Sequence, residues 1–455
     1  MRTRRGMTIK SLPVAMVGRG PTNFATARRL HGAGAEVVLY EAEVWLGGRT
    51  RTDRLDGFSI DAGAQLFGSM FTRFFALARD AGIEDRLTRT AGRDALWRDG
   101  RAHEVVYGSV ASMLASGGLP WRTKMRLGST YVPFLQRHTD ALDIHAPELA
   151  AAAGLDRESI AQWGGRTMDH EFTEYLVYPQ LSAYYGALPE ETSSGLYHTL
   201  AHYGIDVKVY ALGQGAGSFC ETLSEQLSAS GGIVRTGQRV AAVEVTTAET
   251  RVTTADRTDV FAGVVVATPA PVAADLLQGI PAGLTEWLRE VRFRPSVTLA
   301  LMLDQPLNRR FFGLSFARAS ARSVVAACVE ERKHPDLVPG GKGLLVAFAR
   351  PDVAPKLIDE EPRAILDAML PDLRLAFPGI DERATRARLY RWPIGNPVFY
   401  PGYLGRLGEF RRNGAEGGGR AVVAGDYQYV SSVEGAVTSG TLAADRLIAR
   451  LAATD

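Results

Sequence analysis

Cysteine is nearly missing from this chain of 455 residues, with only Cys220 and Cys328 present. Two distant thiols exclude a disulfide framework and a thiolate metal cluster, and they make a reduced, cytoplasmic setting the expectation. Long apolar runs are missing too, and no stretch approaches the ~18 consecutive apolar residues of a membrane span. Neither sign of charge is in excess. Lys+Arg 52 against Asp+Glu 50 leaves a formal charge of +2, which gives no electrostatic basis for a nucleic-acid partner. Histidine is sparse, and although His198 and His202 are four apart, no third ligand accompanies them. Hydrogen-bonding or surface histidines are therefore expected, and no metal. The first ten residues, MRTRRGMTIK, carry arginines but no apolar signal core. They read as a frayed tail, with Met7 an equally good start.

What the chain does have is concentrated between Val14 and Gln65. Pro13 to Val17 is a short apolar β run that ends at Gly18-Arg19-Gly20, where close backbone approach calls for glycine. Beyond Thr22, Phe24, Ala27 and Leu30 fall on one helix face, and Gly32 and Gly34 stop the helix. A second β run, Glu36 to Tyr40, ends in Glu41, 41 − 18 = 23 residues after Gly18. Strand, glycine turn, helix, strand and acid form the dinucleotide pattern. Helix amides favour a diphosphate, and the acid accepts hydrogen bonds from a ribose diol. Asn23 stands where that pattern has its third glycine.

Gly47-Gly48-Arg49-Thr50 follows the acid, and GFSIDAGAQ closes the stretch at Gln65. Together these segments resemble the flavin amine oxidase and protoporphyrinogen oxidase superfamily of FAD-dependent oxidoreductases. The resemblance implies that Gly18, Gly20, Pro21, Thr22 and Asn23 hold FAD at the first turn, with Glu41 on the ribose. It also places Gly48 and Arg49 along the diphosphate, and Gly63, Ala64 and Gln65 beside the flavin ring. Downstream, GQGAGSFCETLSEQLSASGG reads as a glycine turn and helix, IVRTGQRVAAVEVTT as a β hairpin, and FAGVVVATPAP as a buried parallel strand. In the family, the backbone at the position of Val240 meets the adenine. The closing stretch AVVAGDYQYVSSVEGAVTSGTLAADRLIARL is a strand, a Gly425-Asp426 turn and a long helix starting near Val433. By resemblance Asp426 serves the ribityl–phosphate region, while the amides from Val433 to Ala436 face the pyrimidine edge of the flavin. A positive helix end there stabilises the negative charge of a reduced ring.

The expected fold class is α/β. A discontinuous Rossmann-like FAD-binding domain of the glutathione-reductase type would comprise residues 12–82, 211–275 and 385–455. A substrate domain would combine a helical insertion, 83–210, with an antiparallel sheet segment, 276–384. Phe71 to Gly82 reads as an amphipathic helix with Phe74, Phe75 and Leu77 inward. The insertion is rich in Trp, Tyr, Phe and Met, which suits a pocket for a sizeable apolar ligand and equally a plain helical core. PSVTLALMLDQPL and KGLLVAFA alternate as antiparallel strands, and EEPRAILDAMLPDLRLAF reads as the helix between sheet segments. Residues 103–140, amphipathic throughout, are where peripheral membrane contact would fall.

Amine oxidases of the resembled family carry a lysine beside the flavin and two aromatic side chains around the amine. Here Ser296 to Ala300 reads SVTLA, and the two aromatic positions fall near Gly395 and Ser432. The segment YRWPIGNPVFYPG also lacks a flavin-tethering cysteine. RWPIGNPVFYPGYL instead resembles the protoporphyrinogen oxidase and carotenoid-desaturase side, with Tyr403 where histidine is common. The expected activity is FAD-dependent dehydrogenation of a C–C or C–N bond in a bulky, largely apolar small molecule, within biosynthesis. Oxidation of an amine or amide to an imine is one alternative, and a redox-neutral isomerase or binding scaffold is another. Gln65, Trp392 and Tyr427 are the catalytic candidates, with Tyr400 as a further wall of the reactive face. No general base is assigned, because an amide such as Gln65 accepts no proton at neutral pH. The electron acceptor and the oligomeric state stay open.

Overall fold

Short apolar stretches without polar alternation belong in a sheet covered on both faces. Val14–Val17, Val37–Tyr40 and Gly263–Val266 are buried at every position. With Ile233–Arg235 and Ala421–Val423 they form a five-stranded parallel sheet, in the order Ile233–Arg235, Val37–Tyr40, Val14–Val17, Gly263–Val266, Ala421–Val423. Strands from both ends of the chain thus share one sheet. The computed structural model describes residues 12–453 apart from 91, 107, 145, 147, 148 and 413–418, so the N-terminal MRTRRGMTIK lies outside it.

One face of this sheet packs against the helices Pro21–Gly32, Ser218–Ala229 and Val433–Ala452. The first and last of these touch backbone to backbone. Thr26 Oγ1 donates to Gly440 O at 3.0 Å, and a Cβ on Gly440 would stand 2.0 Å from Thr22 O. Glu434, in the first turn of the last helix, accepts from the Arg73 and Phe74 amides at 3.0 and 2.8 Å. It thereby caps the helix Thr72–Asp80, whose own N-cap residue Phe71 supplies no side-chain acceptor. The other face is covered by an antiparallel sheet that includes Val240–Val245 and Thr250–Thr254. The stretch expected as a hairpin, IVRTGQRVAAVEVTT, is therefore split between two sheets. Gly237, at φ +69°, breaks it, and the amides of Gly237 and Gln238 bond to Glu43 O and Glu41 O.

A seven-stranded sheet forms the second layer system, in the order Ala384–Pro397, Phe293–Leu303, Gly343–Ala349, Val324–Val329, Gly313–Phe316, Arg93–Arg98, Arg101–Val106. One of its faces buries Ile365, Met369 and Leu373 of the helix Pro362–Ala376. The opposite face meets the hairpin Thr52–Leu55/Phe58–Asp61 through Phe58 and Ile60, and beyond that cover it opens onto a cavity.

One boundary and the make-up of one segment differ from the sequence reading. Ala384–Pro397 pairs along Phe293–Leu303, so the antiparallel sheet extends past 384 and the closing segment cannot start at 385. The insertion 83–210 opens with strands, because Asp99 (φ 52°) and Gly100 (φ 73°) turn Arg93–Arg98 onto Arg101–Val106. That Asp-Gly pair is a hairpin signal that hydrophobic periodicity does not carry. Helices follow from Val110 to Gly204, including Trp121–Arg126, Ile160–Thr167 and Ser194–Gly204. Within residues 103–140 the helices Val110–Ala115 and Trp121–Arg126 leave Val110, Leu114 and Met125 exposed, and Trp121 71% exposed. Among the described residues no helix is long and apolar enough to cross a membrane.

Candidate functional site

A cavity of about 810 Å³ begins where the parallel strands end and continues along the open face of the seven-stranded sheet. Gly18, Glu41, Ala267 and Gly425, each just beyond a parallel strand, contribute to its wall. In open α/β sheets that edge is where ligands collect.

Gly18 takes φ +117°, and a Cβ on it would stand 2.7 Å from Ala267 O. Gly20 faces the cavity, and a Cβ there would meet no protein atom within 4 Å, so the space beside it is free for a ligand. The helix Pro21–Gly32 has proline in its first turn, no side-chain cap and no acid in that turn. Pro21 has no N–H and the Asn23 and Phe24 amides bond to Gly20 O, so the Thr22 amide is the group of this turn left for an anion. Pro21, Thr22 and Gly48 also line the cavity. Asn23 does not, contrary to the cradle expected of it. It is fully buried, and its Nδ2 donates to Gly18 O at 2.8 Å, so it fixes the turn from behind.

Glu41 Oε1 accepts from Arg19 Nη1 at 3.1 Å and from the Glu43 amide at 2.8 Å. Burial raises the Glu41 carboxyl above its usual range, while the Arg19 charge opposes that shift. Arg49 makes a two-pronged ion pair with Asp426, at 2.9 and 2.7 Å, and also donates to Gly395 O at 2.9 Å. One guanidinium thus joins chain segments 377 residues apart. Gly63 packs so tightly on it that a Cβ would lie 2.1 Å from Arg49 O, and the Ala64 amide bonds to the same oxygen at 2.8 Å. Val433 and Ala436, at the start of the last helix, and Val240 complete this half of the wall. An open glycine turn, a free helix start, a buried acid and a second helix start fit FAD. The first two suit its diphosphate, the acid its ribose and the last its ring.

Toward the sheet the wall becomes largely apolar. Ser296 and Thr298 stand on Phe293–Leu303, Phe348 on Gly343–Ala349, Ala326 and Cys328 on Val324–Val329, and Gly313 and Ser315 on Gly313–Phe316. Tyr184 and Tyr185 enter from the helix Tyr178–Tyr185. Thr298 and Ser296, within the SVTLA run, offer hydroxyls but no amine. Burial raises the Cys328 thiol far above its ordinary range, which keeps it protonated. The charged residues of the wall are Arg19, Glu41, Glu43, Arg49, Arg239 and Asp426, all carried on segments that leave the parallel sheet.

Of the catalytic candidates, Gln65, Trp392 and Tyr427 all line the cavity. Trp392 Nε1 donates to Ala62 O at 2.9 Å, and Trp45 meets its ring edge-on at 6.0 Å. Tyr427 is fully buried against Trp287 and Phe293. Tyr400 lies elsewhere: it packs on Tyr403, under the Arg292 guanidinium at 4.8 Å. His198 is buried among Tyr131, Phe134 and Trp163, where burial pushes it down to about 3 and holds it neutral. His202 packs on Tyr203 instead.

Gln65 rests on a group that sequence reasoning missed. Lys333 is fully buried, and its Nζ lies 2.9 Å from Asp61 Oδ2, 2.6 Å from Glu330 Oε2 and 2.5 Å from Gln65 Oε1. Gln65 Nε2 donates to Asp61 O at 2.7 Å, so both ends of the amide are held. Burial works against the ammonium, but Asp61 and Glu330 together outweigh it and raise the Lys333 pKa. Burial also raises Glu330, against the pull of Lys333. No local pattern announces the trio, since Asp61 and Lys333 are 272 residues apart.

A family model described as flavin containing amine oxidoreductase matches residues 24–448. A coproporphyrinogen III oxidase from Staphylococcus aureus is 22% identical, over 96% of this chain and 99% of its own. Among solved structures, cyclohexylamine oxidase from Brevibacterium oxydans superimposes with a TM-score of 0.76 at 19% identity, covering 97% of this chain and 100% of its own. A putative protoporphyrinogen oxidase from Exiguobacterium gives 0.75 at 19% identity, covering 96% and 99%.

Proposed function

The chain belongs to the flavin-containing amine oxidoreductases and is an FAD-dependent oxidase or dehydrogenase, and on that premise we propose that it removes a hydride from a bulky, largely apolar small molecule in a biosynthetic pathway. The observation that carries this reading is the continuity of the cavity, from the Gly18–Gly20 turn to an apolar chamber walled by a sheet. Bound FAD supplies the two-electron acceptor. The parallel sheet with its glycine turn acts as a Rossmann-like support of the glutathione-reductase type. Gly20 and the Thr22 amide at the start of Pro21–Gly32 receive the diphosphate, Glu41 the ribose hydroxyls, and the start of Val433–Ala452 the edge of the ring that gains negative charge.

The protein's work on the substrate is placement and exclusion of water. Trp392, Phe348 and Ala326 supply apolar walls, and Gln65, held by Lys333 and Asp61, supplies a fixed amide. Among the described residues the wall toward the sheet carries no histidine, lysine or carboxylate, so the proton leaves with the substrate's own chemistry or to water. Oxidation of an amine to an imine is the second reading. What favours it is the matching family model itself, described as flavin containing amine oxidoreductase. Gln65→Ala is expected to keep the flavin and to lower its rate of reduction about tenfold or more, through lost positioning. Anaerobic rapid-mixing absorbance with a panel of polyene, porphyrinogen and amine reductants measures this. An unchanged rate removes Gln65 from the site, and a panel in which nothing bleaches the flavin refutes the dehydrogenase reading.

A further inference from the structure

Gln65 lines the cavity, and its amide can sit only one way round. Oε1 lies 2.5 Å from Lys333 Nζ, and Nε2 lies 2.7 Å from Asp61 O. Lys333 itself is enclosed behind the wall. Asp61 and Glu330 outweigh the cost of its burial and keep it an ammonium, which donates hydrogen bonds and accepts none. Asp61 O is a backbone carbonyl and only accepts. Turning the amide over would set donor against donor at Lys333 and acceptor against acceptor at Asp61. Both partners therefore select the same orientation.

The backbone that carries Gln65 is pinned as well. The Ala62 and Ala64 amides bond to Arg51 O and Arg49 O at 3.0 and 2.8 Å, and Ala62 O accepts from Trp392 Nε1 at 2.9 Å. An amide nitrogen carries two hydrogens, and Asp61 O takes one of them. Among the described residues no protein acceptor takes the second, which is left for a ligand in the cavity. The ammonium on Oε1 draws electron density to that oxygen, so the N–H becomes the stronger group of the amide. Ser296, Thr298 and Ser315 also line the chamber, but a hydroxyl rotates to donate or to accept. Gln65, clamped at both ends, has no such freedom.

On the reading of the cavity as a substrate chamber beside a flavin, we propose that Gln65 is a dedicated hydrogen-bond donor to an uncharged carbonyl-type oxygen of the substrate, with Lys333 the positioning residue that sets its polarity. Among the described residues the wall toward the sheet carries no cation to balance a substrate anion, and the charge of Lys333 is already neutralised by Asp61 and Glu330. An anionic acceptor is therefore disfavoured. A group that only donates, such as an ammonium, meets an N–H in place of a lone pair. The site selects apolar molecules that carry a ketone, ester or amide oxygen, because one without it leaves the N–H unpaired.

The test is anaerobic titration of the FAD-loaded protein with acetophenone and with α-methylstyrene, which has a methylene in place of the carbonyl oxygen. Binding is followed through the flavin absorbance band, and the bound ketone through its infrared carbonyl stretch. Gln65→Met, similar in volume but without an N–H, is expected to weaken acetophenone about tenfold, the loss of one hydrogen bond. It should leave α-methylstyrene unchanged and move the carbonyl stretch to higher frequency. Lys333→Met is expected to move the stretch the same way and to weaken acetophenone about two- to fivefold, although Lys333 lies outside the cavity wall. If that variant does not fold, Lys333→Met combined with Glu330→Gln, which removes the stranded carboxylate, carries the comparison. Wild type that takes up no acetophenone, or a Gln65→Met protein that binds both ligands as wild type does or loses both equally, overturns the donor. A Lys333 variant with the wild-type carbonyl stretch overturns the positioning role. Binding is read without turnover. A protein whose carbonyl stretch responds to Gln65 yet is bleached by no reductant therefore contradicts only the dehydrogenase reading. One that is bleached while the stretch ignores both residues contradicts only the present proposal.

Discussion

Lys333→Met is expected to destabilise the protein by about 3–5 kcal/mol, the usual cost of removing one partner from a buried ion pair. Lys333 and Glu330 are fully enclosed, and Asp61 is nearly so. Without the ammonium, two carboxylates 2.9 and 2.6 Å from its position are left in low dielectric with no counter-charge. Asp61 retains donors, because Thr52 Oγ1 and the Ala216 amide bond to its Oδ1 at 2.6 and 2.8 Å. Glu330 keeps none of comparable strength, and adding Glu330→Gln to Lys333→Met should therefore recover part of the loss. Urea denaturation of the single and double variants measures both effects. A Lys333→Met protein with the wild-type midpoint would show that the trio contributes nothing. The same variant should loosen Gln65, whose Oε1 loses its donor.

Arg49→Ala is expected to lower FAD affinity at least about a hundredfold, roughly 3 kcal/mol, and to yield protein that loses its yellow colour on gel filtration. The guanidinium neutralises Asp426, whose side chain is only 6% exposed, and it binds Gly395 O as well. Without it, an unpaired carboxylate lies in the wall of the cavity that receives an anionic diphosphate. Arg49→Lys should fall between wild type and alanine, since lysine restores the charge but not the two-pronged geometry. Fluorescence titration of the apoproteins with FAD ranks the three. Identical affinities would remove Arg49 from the cofactor's surroundings.

The cradle was readable because its signals are local. Gly18, Gly20, Glu41, Gly48 and Arg49 fall within 32 consecutive residues, 18 to 49, and each is demanded by backbone geometry or charge at its own position. Asn23 misled for an equally physical reason. The close contact at this turn is made instead between helices, at Gly440 against Thr22, by a residue more than 400 positions away. Asn23 is thereby free to bond the turn from within. The strands Arg93–Arg98 and Arg101–Val106 escaped because their alternation is interrupted by arginines, although the Asp99-Gly100 turn marks them. Lys333, Glu330 and Asp61 were beyond reach altogether. A charged triplet in ERKH reads as solvated helix surface until the fold buries it against the DAG segment.

The central claim is that one cavity, built from both ends of the chain, holds one FAD. Its most direct measurement is an absorbance-monitored titration of the purified apoprotein with FAD. Uptake of one equivalent per chain, with a resolved flavin band that stays with the protein on gel filtration, is the predicted result. A protein that remains colourless with FAD in excess would contradict it.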